Sequence, residues 1–328
     1  LLWVTAACWA PVAGLAESDV ILSPLPLFHS YALSLCVLSV IAVGATELLL
    51  EKFSTQEVMK RLLTGRFTLL PGVPTMFHYL LEASHAAGTS QMPGVRCAIS
   101  AGAILPASLN REFEDRFGVP LLDGYGITET STMVTMNWPG AARVMGSCGL
   151  PVPGLAVRIV GPDGLDAGRD EEGELIVRGA NLMLGYLGKP QETAGARKHG
   201  WYRTGDLARC DANGFLAITG RLKELIIRGG QNIAPAEVEE AVLTHADVLD
   251  CAVLGLAHPH LGEVPVACVV LREGRHVDGE TLRQHCAKLL SAYKVPQSVH
   301  VVPAIPRTGS GKIMRFKLRE ILAPEPSA

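Results

Sequence analysis

The chain has 328 residues, 48% of them hydrophobic and 19% charged, with a formal net charge of −3. That composition excludes a disordered polymer, the length allows two or more domains, and the lack of a basic block excludes nucleic acid or an anionic membrane surface as partner. Eight cysteines lie scattered, with no Cys-x-x-Cys pair and no His/Cys cluster at zinc spacing, so reduced thiols in a cytoplasmic protein are expected.

The apolar start from Leu1 to Ala10 has no basic residue before it and reads as a buried helix, not a secretory leader. The first residue is Leu, which reads as a fragment or a truncated gene. The uncharged run 31–46 is shorter than the ~20 residues of a membrane span, so it reads as a core helix leading into a buried strand at 45–50. Turn residues close a strand at 69–74. A helix follows over 75–84, a buried strand over 95–100, a helix over 109–117 and an apolar strand over 119–122, which together mark a layered α/β fold. Between 144 and 218 the texture becomes short strands (155–160, 173–178, 214–219) separated by Gly, Pro and Asp. Beyond it come a strand at 224–227, a Gly229-Gly230 loop and a helix at 235–243 with Pro in its first turn. Strands at 248–254, 264–271 and 298–302 and a helix at 279–290 complete a small α+β unit, and the tail Pro324-Glu325-Pro326 is expected to fray. The fold class is therefore α/β: a partial large domain (1–142, layered; 143–222, β-rich) followed by a small mobile α+β domain (223–328). No repeat is present.

Four motifs carry chemistry: Asp123-Gly124-Tyr125-Gly126-Ile127-Thr128-Glu129, Tyr202-Arg203-Thr204-Gly205-Asp206, Gly220-Arg221-Leu222-Lys223-Glu224 and Pro306-Arg307-Thr308-Gly309-Ser310-Gly311-Lys312. The last looks like a Walker phosphate loop but fails the test, because Pro306 stands where a glycine is needed and Ile313 where Ser or Thr is needed. In this order the motifs resemble the adenylate-forming superfamily, and within it the acyl-CoA synthetases; the resemblance spans nearly the whole chain.

The resemblance implies a mechanism. A carboxylate, with an ordinary pKa of ~4, needs no general base to attack the α-phosphate of ATP. The protein's tasks are to align two anions and neutralise phosphate charge. Tyr125, in a glycine-bracketed turn, is expected to stack on adenine, with Gly102, Ala103, Asp123, Gly124, Gly126 and Ile218 around the nucleotide. Thr128 and Glu129 would meet the α-phosphate and Mg²⁺, since magnesium takes one or two carboxylates plus phosphate oxygens. Asp206 would hold the ribose hydroxyls with Arg221 nearby, and Lys312 would bridge acid and α-phosphate. Lys223 matches the hinge about which the small domain swings, and Arg228, Gly229 and Gly230 match the loop lining the pantetheine tunnel. Pro26-Leu27-Phe28-His29-Ser30 matches a motif near the acyl site: His29 contacts the acid, gates the thiol, or is a hydrogen-bonded core histidine. By the same resemblance Met76, Phe77, Ser100, Ala101, Gly102, Ala103, Thr130 and Thr132 occupy places that line the acyl pocket or its adenine side, without a cation among them, which points to a fatty or aryl acid.

Full-length relatives carry a Ser/Thr/Gly-rich loop ending Pro-Lys-Gly, and nothing in 1–18 matches it. The expected activity is thus acid plus ATP and CoA to acyl-CoA, with ATP, Mg²⁺ and CoA as substrates and metal, and with impairment by the missing loop. Two other readings stand open: a ligase that loads an acyl carrier protein, and a non-catalytic adenylate-binding remnant. A homodimer is a further partner arrangement left open.

Overall fold

A computed structural model describes residues 1–309 and 311–322; the tail expected to fray lies outside the described residues. The chain divides into two compact units. One is Leu1–Thr204 with Ala208–Ile218; the other is Gly205–Leu207 with the chain from Thr219 onward.

The first unit is built on a seven-stranded sheet of β1 (Val20–Ser23), β2 (Thr46–Leu49), β3 (Leu69–Gly72), β4 (Cys97–Ser100), β5 (Leu121–Ile127), β6 (Thr132–Met136) and β7 (Leu150–Pro151), in the order β2-β1-β3-β4-β5-β6-β7. Strands β1 to β5 run parallel, and β6 and β7 add antiparallel at one side. Successive strand residues face opposite ways. Ile21, Leu69, Ile99 and Leu122 therefore join one core with Val4, Trp9 and Leu35. Leu22, Leu70, Ala98 and Leu121 join a second core with Val58, Leu62, Phe77 and Phe113. A parallel sheet covered on both faces requires unbroken apolar strands, which is why these stretches do not alternate in sequence.

Helical residues 2–12 and 30–43 cover the first core, and each contains a π-helical stretch, Val4–Trp9 and Leu33–Leu38. They are pinned together where Thr5 Oγ1 and Trp9 Nε1 meet Ser34 Oγ at 2.6 and 2.9 Å. The buried helix expected at the start is present. The strand expected at 45–50 is not buried: among the described residues β2 is the sheet edge, paired with β1 alone, and its residues are exposed or half-exposed.

At the rim of this sheet Asp19, 3% exposed, accepts hydrogen bonds from Arg96 Nε and Nη2, both 2.8 Å, and from Thr68 Oγ1 at 2.7 Å. Burial alone would raise its pKa, but these bonds outweigh it and hold the carboxyl below its ordinary value. A lowered folded-state pKa stabilises the fold above the unfolded value, and that contribution is lost as pH falls through the folded one. Asp19→Asn is expected to cost about 1–3 kcal/mol at pH 7. The gap to wild type in denaturant midpoint should shrink at pH 3, and a gap that is the same at both pH values would refute the assignment.

The β-rich part of the first unit is a second sheet, β8 (Leu155–Val160), β9 (Gly173–Gly179), β10 (Arg197–Lys198), β11 (Trp201–Cys210) and β12 (Leu216–Arg221), ordered β10-β11-β9-β8 with β12 on β11. β12 starts at Leu216, later than expected, because Gly214 sits at φ +90° in the preceding turn. Val134, Leu175, Val177, Ala208 and Leu216 form its core.

The second unit holds β13 (Ile226–Arg228), β14 (Gln231–Ile233), β15 (Val248–His258), β16 (Gly262–Leu271) and β17 (Ser298–Val301), ordered β14-β13-β16-β15 with β17 on β16. The strand expected at 224–227 starts only at Ile226, as β13, because Leu222–Glu224 form a 3-10 turn. The helix Pro235–Leu243 has the expected bounds. Helix Gly279–Ala287 is three residues shorter than expected and is capped by Asp278, whose carboxylate accepts from Thr281 N at 2.7 Å. Arg315, in helix Arg315–Leu322, donates to Glu224 at 2.8 Å, Glu239 at 2.6 Å and the Val253 carbonyl at 2.9 Å.

All eight cysteines are free thiols and seven are buried. Burial pushes Cys36 and Cys148 up to about 12. No helix among the described residues is long and apolar enough to cross a membrane.

Candidate active site

The 123–129 motif was expected to form a turn, and the structure corrects this. Gly124, Tyr125, Gly126 and Ile127 lie in β5, laddered to β6 through Gly124↔Met136, Tyr125↔Thr135, Gly126↔Met133 and Ile127↔Thr132. The glycines are there for close approach: a Cβ on Gly126 would stand 1.7 Å from the Thr132 carbonyl oxygen, and one on Gly124 3.0 Å from Met133 Sδ. The half-buried Tyr125 ring packs at the edge of the core around Val134 and Leu175.

Asp123 is 7% exposed, beside Ser100 on β4. Burial drives its pKa well above the ordinary carboxyl value, against the bond from Gly124 N–H. Its carbonyl accepts from Asn137 N at 2.9 Å and Nδ2 at 3.1 Å. Ser100 Oγ is buried and makes no hydrogen bond among the described residues. Gly102, at φ +87°, turns the chain after β4 and leaves Ala103 exposed.

Thr128, Glu129 and Thr130 make a 3-10 turn after β5. Thr128 is exposed and Glu129 half-buried. Thr130 and Thr132 are buried, and Thr130 Oγ1 donates to the Ile127 and Thr132 carbonyls, closing its own turn. The turn is strained, with Ser131 at φ 53° and Thr132 at φ 90°. It is held by a segment that the motif reading overlooked. Asn181 Nδ2 donates to the Thr130 carbonyl (2.7 Å), Ser131 Oγ to the Asn181 carbonyl (2.8 Å), and Met183 N to the Glu129 carbonyl (2.8 Å). Tyr186 Oη donates to Glu129 Oε1 at 3.1 Å and meets Tyr202 Oη at 3.0 Å. The only signal in the sequence was an aromatic residue after Leu184-Gly185, 57 positions from Glu129, and spacing could not link the two.

Glu129 fits magnesium. It offers a hard oxygen, and Oε2 accepts no hydrogen bond among the described residues. No group of three His, Cys, Asp or Glu side chains able to hold a metal occurs among them either. A cation here would complete its shell with phosphate oxygens and water, as magnesium does.

The acyl positions divide. The helix Pro74–Ala87 turns Met76 toward the core shared by Tyr31 and Ala101, but Phe77 toward the other core, fully buried with its ring 5.3 Å edge-on from Phe113. Phe77 thus packs within that core. His29 caps the helical stretch beginning at Ser30, its Nδ1 accepting from Tyr31 N at 3.2 Å.

In the second unit, Asp206 is buried and paired with Arg221, Nε to Oδ1 at 2.6 Å. Ile218 belongs to the first unit, half-buried on β12. Lys223 is exposed in the 3-10 turn. Gly229 and Gly230, at φ +57° and +82°, form the two-residue connection from β13 to β14, and Arg228 Nη1 donates to the Tyr293 carbonyl at 2.8 Å. The Lys312 loop is closed by an Arg307↔Ile313 bridge. Arg307 anchors it, donating to Asp250 at 2.8 Å and to the Gly311 carbonyl at 2.9 Å, while Lys312 is exposed. Ser310 lies outside the described residues.

The strand carrying Tyr125, the turn carrying Glu129 and the loop carrying Lys312 follow one another along the chain in the order the motifs set. The chain belongs to the AMP-binding enzyme family, whose sequence profile matches residues 1–187, and the profile of the AMP-binding enzyme C-terminal domain matches 237–312. It is similar to a sulfoacetate–CoA ligase of Cupriavidus necator, 39% identical over 93% of the chain and 59% of that protein. It is also similar to a feruloyl-CoA synthase of an Amycolatopsis species, 38% identical over 93% of the chain and 62% of the relative. Among solved structures, an o-succinylbenzoate CoA synthetase of Bacillus subtilis bound to its acyl-adenylate superposes with a TM-score of 0.84 at 32% identity, covering 97% of this chain and 64% of that one. The chain thus spans about three fifths of the length of these relatives. The family resemblance drawn from the motifs is borne out, as is the expected fold class.

Proposed function

We propose that the protein joins a fatty or aryl carboxylic acid to CoA through an acyl-adenylate. The acid's carboxylate oxygen attacks the α-phosphorus of ATP and pyrophosphate leaves. The CoA thiol, losing its proton to solvent, then attacks the acyl carbon, and AMP leaves with the bonding pair. Tyr125 holds adenine, Asp206 with Arg221 the ribose, and Thr128 the α-phosphate. Glu129 holds Mg²⁺, which when bound neutralises charge on the phosphate oxygens. Lys312 stabilises charge between acid and α-phosphate during adenylation, and Lys223 is the pivot for the second half-reaction. Arg228, Gly229 and Gly230 are assigned to the CoA path, and His29 and Met76 to the acyl end. The apolar or small side chains at Met76 and Ala101 favour a fatty or aryl acid over one bearing a second charge.

The observation that carries this reading is the match to both family profiles in order, together with relatives named as acid–CoA ligases. The test is acid-dependent pyrophosphate release with ATP and Mg²⁺ over a panel of fatty and aryl acids, followed by thiol consumption with CoA or an acyl carrier protein as sole acceptor. Release with one acid class and consumption of CoA are expected. A folded chain that is silent with every acid, or that consumes only the carrier thiol, overturns the proposal.

A further inference from the structure

The 3-10 turn Thr128–Thr130 is tied to the neighbouring segment 181–186 in two chemically separate ways. Asn181, Ser131 and Met183 make three bonds that use backbone carbonyls, at 2.7, 2.8 and 2.8 Å, and these fix the path of the turn without any help from Tyr186. The Tyr186 hydroxyl makes no bond to that backbone. It reaches the Glu129 carboxylate at 3.1 Å, on Oε1, and is oriented in turn by the Tyr202 hydroxyl at 3.0 Å. Tyr186 is itself held in place, since its backbone N–H donates to Thr193 Oγ1 at 2.9 Å, while Tyr202 is only 4% exposed. A hydroxyl placed on one carboxylate oxygen, on a turn whose backbone is already secured, orients the side chain and not the fold.

We propose that Tyr186 is a positioning residue for Glu129. Its hydroxyl, aligned by Tyr202, fixes the carboxylate rotamer and turns Oε2 toward the magnesium–nucleotide. This rests on the adenylate-forming reading above. It also links two motifs that are far apart in sequence, because Tyr202 opens the stretch that ends at Asp206. Outer partners of metal-ligating side chains typically change metal affinity by ~10–100-fold when removed.

The experiment compares wild type with Tyr186→Phe and Tyr202→Phe by calorimetric titration. ATP is the ligand at rising Mg²⁺ concentrations, and AMP is the ligand in EDTA. Tyr186→Phe should raise the Mg²⁺ concentration for half-maximal ATP binding about tenfold. AMP affinity and the thermal midpoint should stay at wild-type values. Tyr202→Phe should shift the Mg²⁺ dependence the same way by less, and with Mn²⁺ in place of Mg²⁺ the water-proton relaxation enhancement of the ATP complex should weaken in parallel. An unchanged Mg²⁺ dependence in folded Tyr186→Phe overturns the assignment. So does an equal loss of AMP affinity, which would mark a merely structural role. A wild type whose ATP binding needs Mg²⁺ but which releases no pyrophosphate with any acid overturns the ligase reading while the tyrosine result stands.

Discussion

Lys312→Ala is expected to slow acid-dependent pyrophosphate release by ~10²–10³-fold, the usual cost of removing one preorganised charge-stabilising group. The variant should fold as wild type does, because the loop uses only backbone atoms of residue 312. Thr308 N donates to its carbonyl at 2.8 Å and Thr308 Oγ1 accepts from its N–H at 3.1 Å. Lys312 is exposed, on a frame anchored by Arg307 and Asp250. Thioester formation from preformed acyl-AMP and CoA should be spared, since by then the charge on the α-phosphate has passed its peak. Measuring the two half-reactions separately decides the matter: an equal loss in both overturns the role given to Lys312.

Gly126→Ala should be among the most damaging single methyls in the first unit. The added carbon would meet the Thr132 carbonyl oxygen at 1.7 Å, its carbon at 2.4 Å and Met133 Cα at 2.9 Å, all backbone atoms that no rotamer change can move. Strands β5 and β6 would have to part, at a cost of about 3 kcal/mol or more. That strain falls on the residues either side, so AMP binding through Tyr125 should weaken along with the denaturant midpoint. Gly195→Ala is the control, because its methyl meets nothing within 4 Å. Equal stability of the two variants would show that the β5–β6 ladder does not have this geometry.

These two positions also show what could be learned from the amino-acid order. The loop bearing Lys312 was legible because glycines flanking one cation are a local pattern, and the helix Pro235–Leu243 because proline in its first turn and an apolar face are local too. Gly126 was singled out for the wrong reason: glycines beside an aromatic suggest a turn, whereas here they admit a neighbouring strand, and that demand comes from β6. The edge position of β2 was hidden for a similar cause, since apolar residues next to a buried strand look alike whether or not a further strand pairs with them. β15 and β16 run on to His258 and Gly262 because each supplies the other's hydrogen bonds past residues that look like breakers. Phe77 lay one residue from Met76, and a helix turns adjacent side chains about 100° apart, so the two entered different cores. Tyr186 had no local signature at all. Only the fold returns it beside a carboxylate 57 residues earlier.

The thiols of this chain offer an experimental opening. Seven are buried, and those of Cys36 and Cys148 are pushed up to about 12, where almost no thiolate exists at neutral pH. Cys210 alone is partly accessible, and burial raises its pKa too. A Gly309→Cys substitution, at an exposed position where an added Cβ meets nothing within 4 Å, would therefore stand out to a maleimide dye against a quiet native background. The lysine loop could then carry a fluorophore, and whether it moves on addition of nucleotide or CoA could be read by single-molecule fluorescence without stripping out the eight native cysteines.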